Sequence, residues 1–168
     1  MNKIKLYTLL CFSFATSLLH AQTRPDSIAY VKSLKPYQYS FVDTSGKTHS
    51  LEEFKGKYTY IDLWASWCYP CRKEYPHLQK MISAIDTSKI QVVSISIDST
   101  PWRWTGAMMG FNMAGGTQWL VKDTTFGRDF DIDRIPRMIL LDKQGQVLNY
   151  SMTRPSNEAT LKFLNELK

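Results

Sequence analysis

Residues 58–76 read YTYIDLWASWCYPCRKEYP, and the change of pattern inside them decides the fold. From Tyr58 to Ala65 the chain is β-branched and aromatic with a single acid, Asp62, the composition of a strand covered on both faces. From Cys71 onward the period changes: Cys71, Tyr75, Leu78, Ile82 and Ile85 are spaced 4, 3, 4 and 3, one face of an α-helix. A second buried-strand run, IQVVSISI, follows at residues 90–97. Strand, helix and strand at this length predict a βαβ unit with parallel strands. The Cys68-Tyr69-Pro70-Cys71 tetrapeptide then falls at the carboxyl end of a parallel strand and the first turn of the next helix, where open α/β sheets carry their sites.

Three chemistries use such a pair. A zinc site needs four ligands, usually as two paired sets, and beyond residue 21 there is one cysteine pair and two histidines, His49 and His77, without paired spacing. A structural staple closing four residues gains little in the chain-entropy model. A redox couple fits the position better. Unpaired N–H groups and the helix dipole at the first turn favour a thiolate on Cys68. Two intervening residues keep Cys71 within reach of a mixed disulfide formed there, and Pro70 costs nothing where the helix has no N–H bond to lose. Chain order puts Cys68 at an exposed corner as the attacking thiol and Cys71 at the start of the buried face as the resolving one. Asp62, in an apolar strand, is expected to have a raised pKa suited to accepting the Cys71 proton, unless it reaches solvent or pairs with Lys57 or Lys73.

The 168-residue chain opens with Lys3 and Lys5, then an uncharged run from Leu6 to Leu19. Fourteen residues with polar positions fall short of the roughly 20 needed to span a bilayer, so residues 1–21 are expected to be a secretory signal, with an uncleaved membrane tether as the alternative. Cleavage after Ala21 would lower the net charge from +6 to +4 and leave a chain sized for a single domain at 37–168 behind a short leader, 22–36. Basic and acidic residues are interspersed, which argues against a nucleic-acid partner. Export would put Cys68 and Cys71 where disulfides persist.

Around the βαβ unit, Thr44-Ser45-Gly46 predicts an N-terminal hairpin, and LEEFKGK a short helical turn stopped by Gly56. RMILLD (137–142) and QVLNY (146–150) predict an antiparallel hairpin, followed by a helix carrying Leu161, Leu164 and Leu167. Residues 98–130 are an insertion expected to hold a helix from Pro101, a break at Gly115-Gly116, a strand at QWLV and a second short helix. Trp104, Met108 and Phe111, at helical spacing, are expected in the core; Glu74 and His77 are expected on a solvated helix face. Pro136 opens the RMILLD strand, where a cis Ile135–Pro136 bond would leave the Ile135 backbone free to pair with an extended peptide.

The combination of LEEFKGK, WASWCYPCRKEYP and FDIDRIPRMILLDKQG resembles the thioredoxin superfamily, and within it the exported TlpA/ResA-like thiol-disulfide oxidoreductases of the AhpC/TSA-thioredoxin group. The resemblance spans residues 37–167. It implies an α/β thioredoxin fold, a central mixed sheet flanked by helices, with an N-terminal hairpin and a helical insertion between its βαβ and ββα halves. It also implies Cys68 as attacking thiol, Cys71 as resolving thiol, Asp62 as the buried carboxylate and Pro136 as a cis-proline facing the disulfide. Trp67, Tyr69, Pro70, Ile135 and Pro136 become the candidate substrate-contacting residues. No cofactor beyond the Cys68–Cys71 disulfide is expected; the expected partners are disulfide-bearing exported proteins and a membrane thiol donor for re-reduction. Two departures bear on substrate: Arg137-Met138 stands where many members have Thr-Thr, and no acid lies between the cysteines. A thiol peroxidase would need Thr-x-x-Cys, and Ala65 stands at that threonine position. A redox-inactive peptide-binding or metallochaperone module using the Ile135–Pro136 groove is the non-enzymatic rival.

Overall fold

A computed structural model describes residues 30, 33–113 and 115–168. The expected signal segment and most of the leader lie outside them. No helix among the described residues is long and apolar enough to cross a membrane.

Seven strands form one sheet: β1 Ser40–Val42, β2 Thr48–Ser50, β3 Tyr58–Trp64, β4 Ile90–Ser96, β5 Thr117–Val121, β6 Arg137–Leu141 and β7 Val147–Met152. Their order is β2-β1-β5-β4-β3-β6-β7. The helices are α1 Tyr69–Ala84, α2 Pro101–Gly110, α3 Phe126–Asp129 and α4 Glu158–Asn165. Strands β3 and β4 pair in parallel, Tyr58 opposite Ile90 through Trp64 opposite Ser96, with α1 as the crossover. Strand β6 runs antiparallel to β3, β7 antiparallel to β6, and α4 closes the chain. This βαβ–ββα core is the thioredoxin fold, with a mixed sheet as expected.

The two-residue period of β3 divides the core. Tyr60 and Trp64 belong to the cluster that includes α1, with Cys71, Tyr75, Leu78 and Met81. Ile61 and Leu63 belong to the opposite cluster, with Phe41, Leu51, Phe126 and Phe130. Asp62 shares the register of Tyr60 and Trp64, so the strand's one acid lies on the face covered by α1.

The insertion folds much as expected, but its strand has a consequence the local pattern does not carry. β5 pairs in parallel with β4 and antiparallel with β1, joining the N-terminal hairpin to the central sheet. Trp119 of β5 fastens it there, stacking on Phe54 and His49, both with ring centres 5.0 Å away, and on Phe41 at 5.6 Å. Phe111 departs from the expected core role. α2 ends at Gly110, so while Trp104 and Met108 are buried, Phe111 turns outward and is 51% exposed.

The hairpin is further tied by His49, whose Nε2 lies 2.9 Å from Asp43 and whose Nδ1 lies 3.0 Å from Glu53. Burial alone would depress the His49 pKa, but hydrogen bonds to the two carboxylates outweigh it and hold the pKa above its ordinary 6.5. A raised folded pKa stabilises the fold fully below pH ~6.5, and the effect is lost as pH rises through the folded value. His49→Gln is therefore expected to lower the melting temperature more at pH 5.5 than at pH 9. An equal loss at both pH values in thermal denaturation would show that the imidazolium charge contributes nothing.

Candidate active site

The end of β3 leads directly into the cysteine pair. Cys68 is the N-cap of α1, and its Sγ accepts a hydrogen bond from the Cys71 backbone N–H at 3.2 Å. Cys68 and Cys71 form a disulfide with Cα atoms 5.3 Å apart. Pro70 lies in the first turn, where it displaces no helical bond. The expected difference in exposure between the two cysteines is absent: both are only 4% exposed. Cys68 is distinguished instead by its N-cap position, where its Sγ accepts the Cys71 N–H.

The flanking side chains cover less than they project. Trp67 is 62% exposed and Tyr69 59% exposed. Ile135–Pro136 is cis, as expected, and lies just before β6, whose Arg137 pairs with Leu63 near the end of β3. Ile135 packs against both core clusters. The fold thus brings Trp67, Tyr69 and Pro70 to one strand-to-helix corner and the cis-proline to the adjacent start of β6.

Asp62 lies under this corner and is 6% exposed. It pairs with neither Lys57 nor Lys73. Ser94, opposite it on β4, donates its hydroxyl at 3.2 Å. Burial pushes the Asp62 pKa from its ordinary 3.8 up to about 7; the Ser94 hydrogen bond opposes this and the charge of Glu74 adds to it. The group can therefore exchange a proton near neutral pH.

Two acids shape the site, and one of them, Asp98, is not singled out by the linear pattern. Glu74, expected on a solvated face, is 9% exposed instead. Its carboxylate accepts hydrogen bonds from the Ser156 backbone at 3.0 Å and hydroxyl at 2.9 Å, with the Arg154 guanidinium 4.0 Å away. The approach to α4 covers that side of α1, a contact 82 residues away in sequence. Asp98, just past β4, accepts bonds from the Ser66 N–H and hydroxyl at 2.8 and 2.7 Å and from the Ser96 hydroxyl at 2.8 Å. Arg72 donates to the Ser66 carbonyl at 2.6 Å, so the loop leading to Cys68 is held from both sides. An acid at the end of a parallel strand, where α/β sites collect, was the available signal for Asp98.

Comparison with known proteins agrees with this geometry. A family model described as Redoxin matches residues 26–164. In solution, a Bacteroides vulgatus protein assigned as a thiol-disulfide oxidoreductase has a similar structure, with a TM-score of 0.70 and 37% identity, covering 81% of this chain and 91% of that one. A Chlorobium tepidum protein assigned as a thiol:disulfide interchange protein DsbE is similar at TM-score 0.61 and 27% identity, over 75% and 89% of the two chains. The thiol-disulfide oxidoreductase ResA of Bacillus subtilis is 22% identical over 129 residues, 75% of this chain and 70% of its own. With the disulfide at the head of α1 and the Redoxin pattern running through nearly the whole described chain, the protein belongs to the Redoxin family and is a thiol-disulfide oxidoreductase.

Proposed function

We propose that this oxidoreductase acts outside the cytoplasm as a reductase of disulfides in other exported proteins. In its dithiol state, the Cys68 thiolate attacks one sulfur of the substrate disulfide and expels the other as a thiolate, leaving a mixed disulfide. Asp62 takes the Cys71 proton, and Cys71 attacks Cys68, releasing the second substrate thiol and closing the Cys68–Cys71 bond. Two electrons pass to the substrate, and a thiol donor, expected at the membrane, returns them. Trp67, Tyr69 and Pro70 flank the incoming sulfur, while the Ile135–Pro136 backbone receives an extended substrate strand.

The observation that carries this reading is the disulfide at the N-cap of α1 above a buried carboxylate with a pKa of about 7. The signal-like pattern of residues 1–21 supports export. Direction is tested by equilibrating the pair in thiol buffers and by following reduction of a protein disulfide such as insulin's. The expected potential is more reducing than the about −180 mV typical of disulfide isomerases. A value near the about −120 mV of strong oxidants would reverse the assigned direction. Cell fractionation that finds the chain in the cytoplasm would remove export.

A further inference from the structure

The chain has seven arginines, and five of them line two clefts beside the disulfide, which no lysine lines. One cleft, of about 530 Å³, runs from Ser66 and Arg72, next to the cysteine pair, onto α2 at Trp102 and Arg103 and to Phe111 just past its end. The other holds Arg134, Arg137 and Arg154 around Pro136. The nearby acids are engaged: Asp98 with Ser66 and Ser96, Glu74 with Ser156, and Asp133 with Arg134 and Arg137. None of the residues lining the first cleft is acidic. Among the described residues neither Arg72 nor Arg103 forms an ion pair; Arg72 lies over the Phe111 ring at 4.3 Å and Arg103 over the Trp102 ring at 5.3 Å.

The helix under this cleft has a second peculiarity. Gly106 lies in the middle of α2, and a Cβ there would meet nothing within 4 Å. Glycine costs about 1 kcal/mol relative to alanine in a helix interior, and no contact within the described chain requires it. Gly106 lines the cleft.

We propose that the first cleft docks the substrate polypeptide through carboxylate side chains that flank the substrate's reactive cysteine, which rests on the disulfide exchange described above. Guanidinium groups placed over aromatic rings present planar forks that match carboxylates, which lysines do not. The cleft begins two residues before Cys68, so a chain whose sulfur reaches the pair has this cleft at one side of its approach. Charge complementarity of this kind sets partner choice and association rate more than final affinity.

The test uses the pre-reduced protein and two synthetic peptides, each a mixed disulfide with glutathione, identical except for glutamates or lysines beside the cysteine. Single-turnover rates are divided by the rate on bis(2-hydroxyethyl) disulfide, which carries no charge. At low ionic strength the acidic peptide is expected to react about tenfold faster than the basic one, with the ratio falling as salt screens the cleft. Arg103→Glu and Gly106→Leu are each expected to bring that ratio to within about twofold of unity. Arg128→Glu, which makes the same charge change on α3, is expected to leave it intact. A wild-type ratio near one, a ratio insensitive to Arg103→Glu, or equal loss with Arg128→Glu would overturn the proposal. Binding to phosphatidylglycerol vesicles that Arg103→Glu abolishes, without peptide preference, would overturn it in favour of a lipid surface. Failure of the wild type to reduce even bis(2-hydroxyethyl) disulfide would overturn the exchange reading itself, and docking with it.

Discussion

Cys71→Ser is expected to stop turnover and to leave the protein joined through Cys68 to its substrate. With the native pair, the second thiol sits three residues along the same helical turn and meets the mixed disulfide as an intramolecular nucleophile. A neighbouring group so placed acts at an effective concentration far above millimolar free thiol, so its loss should lower turnover roughly a hundredfold or more. The first attack needs only Cys68, whose sulfur keeps the N-cap position and the Cys71 backbone N–H, a donor that serine at 71 retains. The adduct should therefore accumulate, be visible by mass spectrometry without reductant and disappear in the Cys68→Ser, Cys71→Ser double variant. An adduct trapped by Cys68→Ser but not by Cys71→Ser would exchange the two roles.

Asp62→Asn is expected to separate the two half-reactions. The carboxylate is buried at 6% exposure and has a pKa of about 7, so above neutrality it can take the Cys71 proton. Asparagine cannot. Release of the substrate thiol should slow by about tenfold to a hundredfold at pH 7, in the range of general-base contributions, while the first attack changes little. The pH profile of release should also lose its inflection near pH 7. Equal slowing of both steps in stopped-flow traces would take Asp62 out of this role.

The same substitution should change stability in a direction fixed by linkage. Folding raises the Asp62 pKa, so the folded state holds a proton that the unfolded chain gives up, and wild-type stability declines from about pH 4 to pH 7. The gap between 3.8 and about 7 corresponds to a ceiling of about 4 kcal/mol. Asp62→Asn should thus gain up to a few kcal/mol over wild type in urea unfolding at pH 8 and little at pH 4.5. The buried carboxylate would then be a stability cost retained for proton transfer.

What the linear pattern made legible follows from how local each feature is. The β3–α1–β4 unit, both hairpins and α4 announce themselves through period and turn residues within short windows. The cysteine pair belongs to one such window, so its place at the head of a helix could be read directly. Phe111 shows the limit: its spacing continues that of Trp104 and Met108, but α2 ends one residue before it, and the end of a helix is the least local part of its pattern. Glu74 shows another. A charged residue on a helix reads as solvated until the chain returns, 82 residues later, with Ser156 to donate hydrogen bonds to its carboxylate.

By itself, the sequence determined the thioredoxin-type order of strands and helices, the redox-competent position of Cys68 and Cys71, and an acid placed in an apolar strand. Only the tertiary structure decided that β5 joins the N-terminal hairpin to the core sheet, that Asp98 and Arg72 hold the loop before Cys68, that Glu74 is buried beside α4, and that five arginines gather in two clefts beside the disulfide. The first group rests on contacts within one or two turns of chain, which side-chain periodicity encodes. The second rests on pairings between segments tens of residues apart, which arise only when burial of the two apolar faces of β3 brings those segments together.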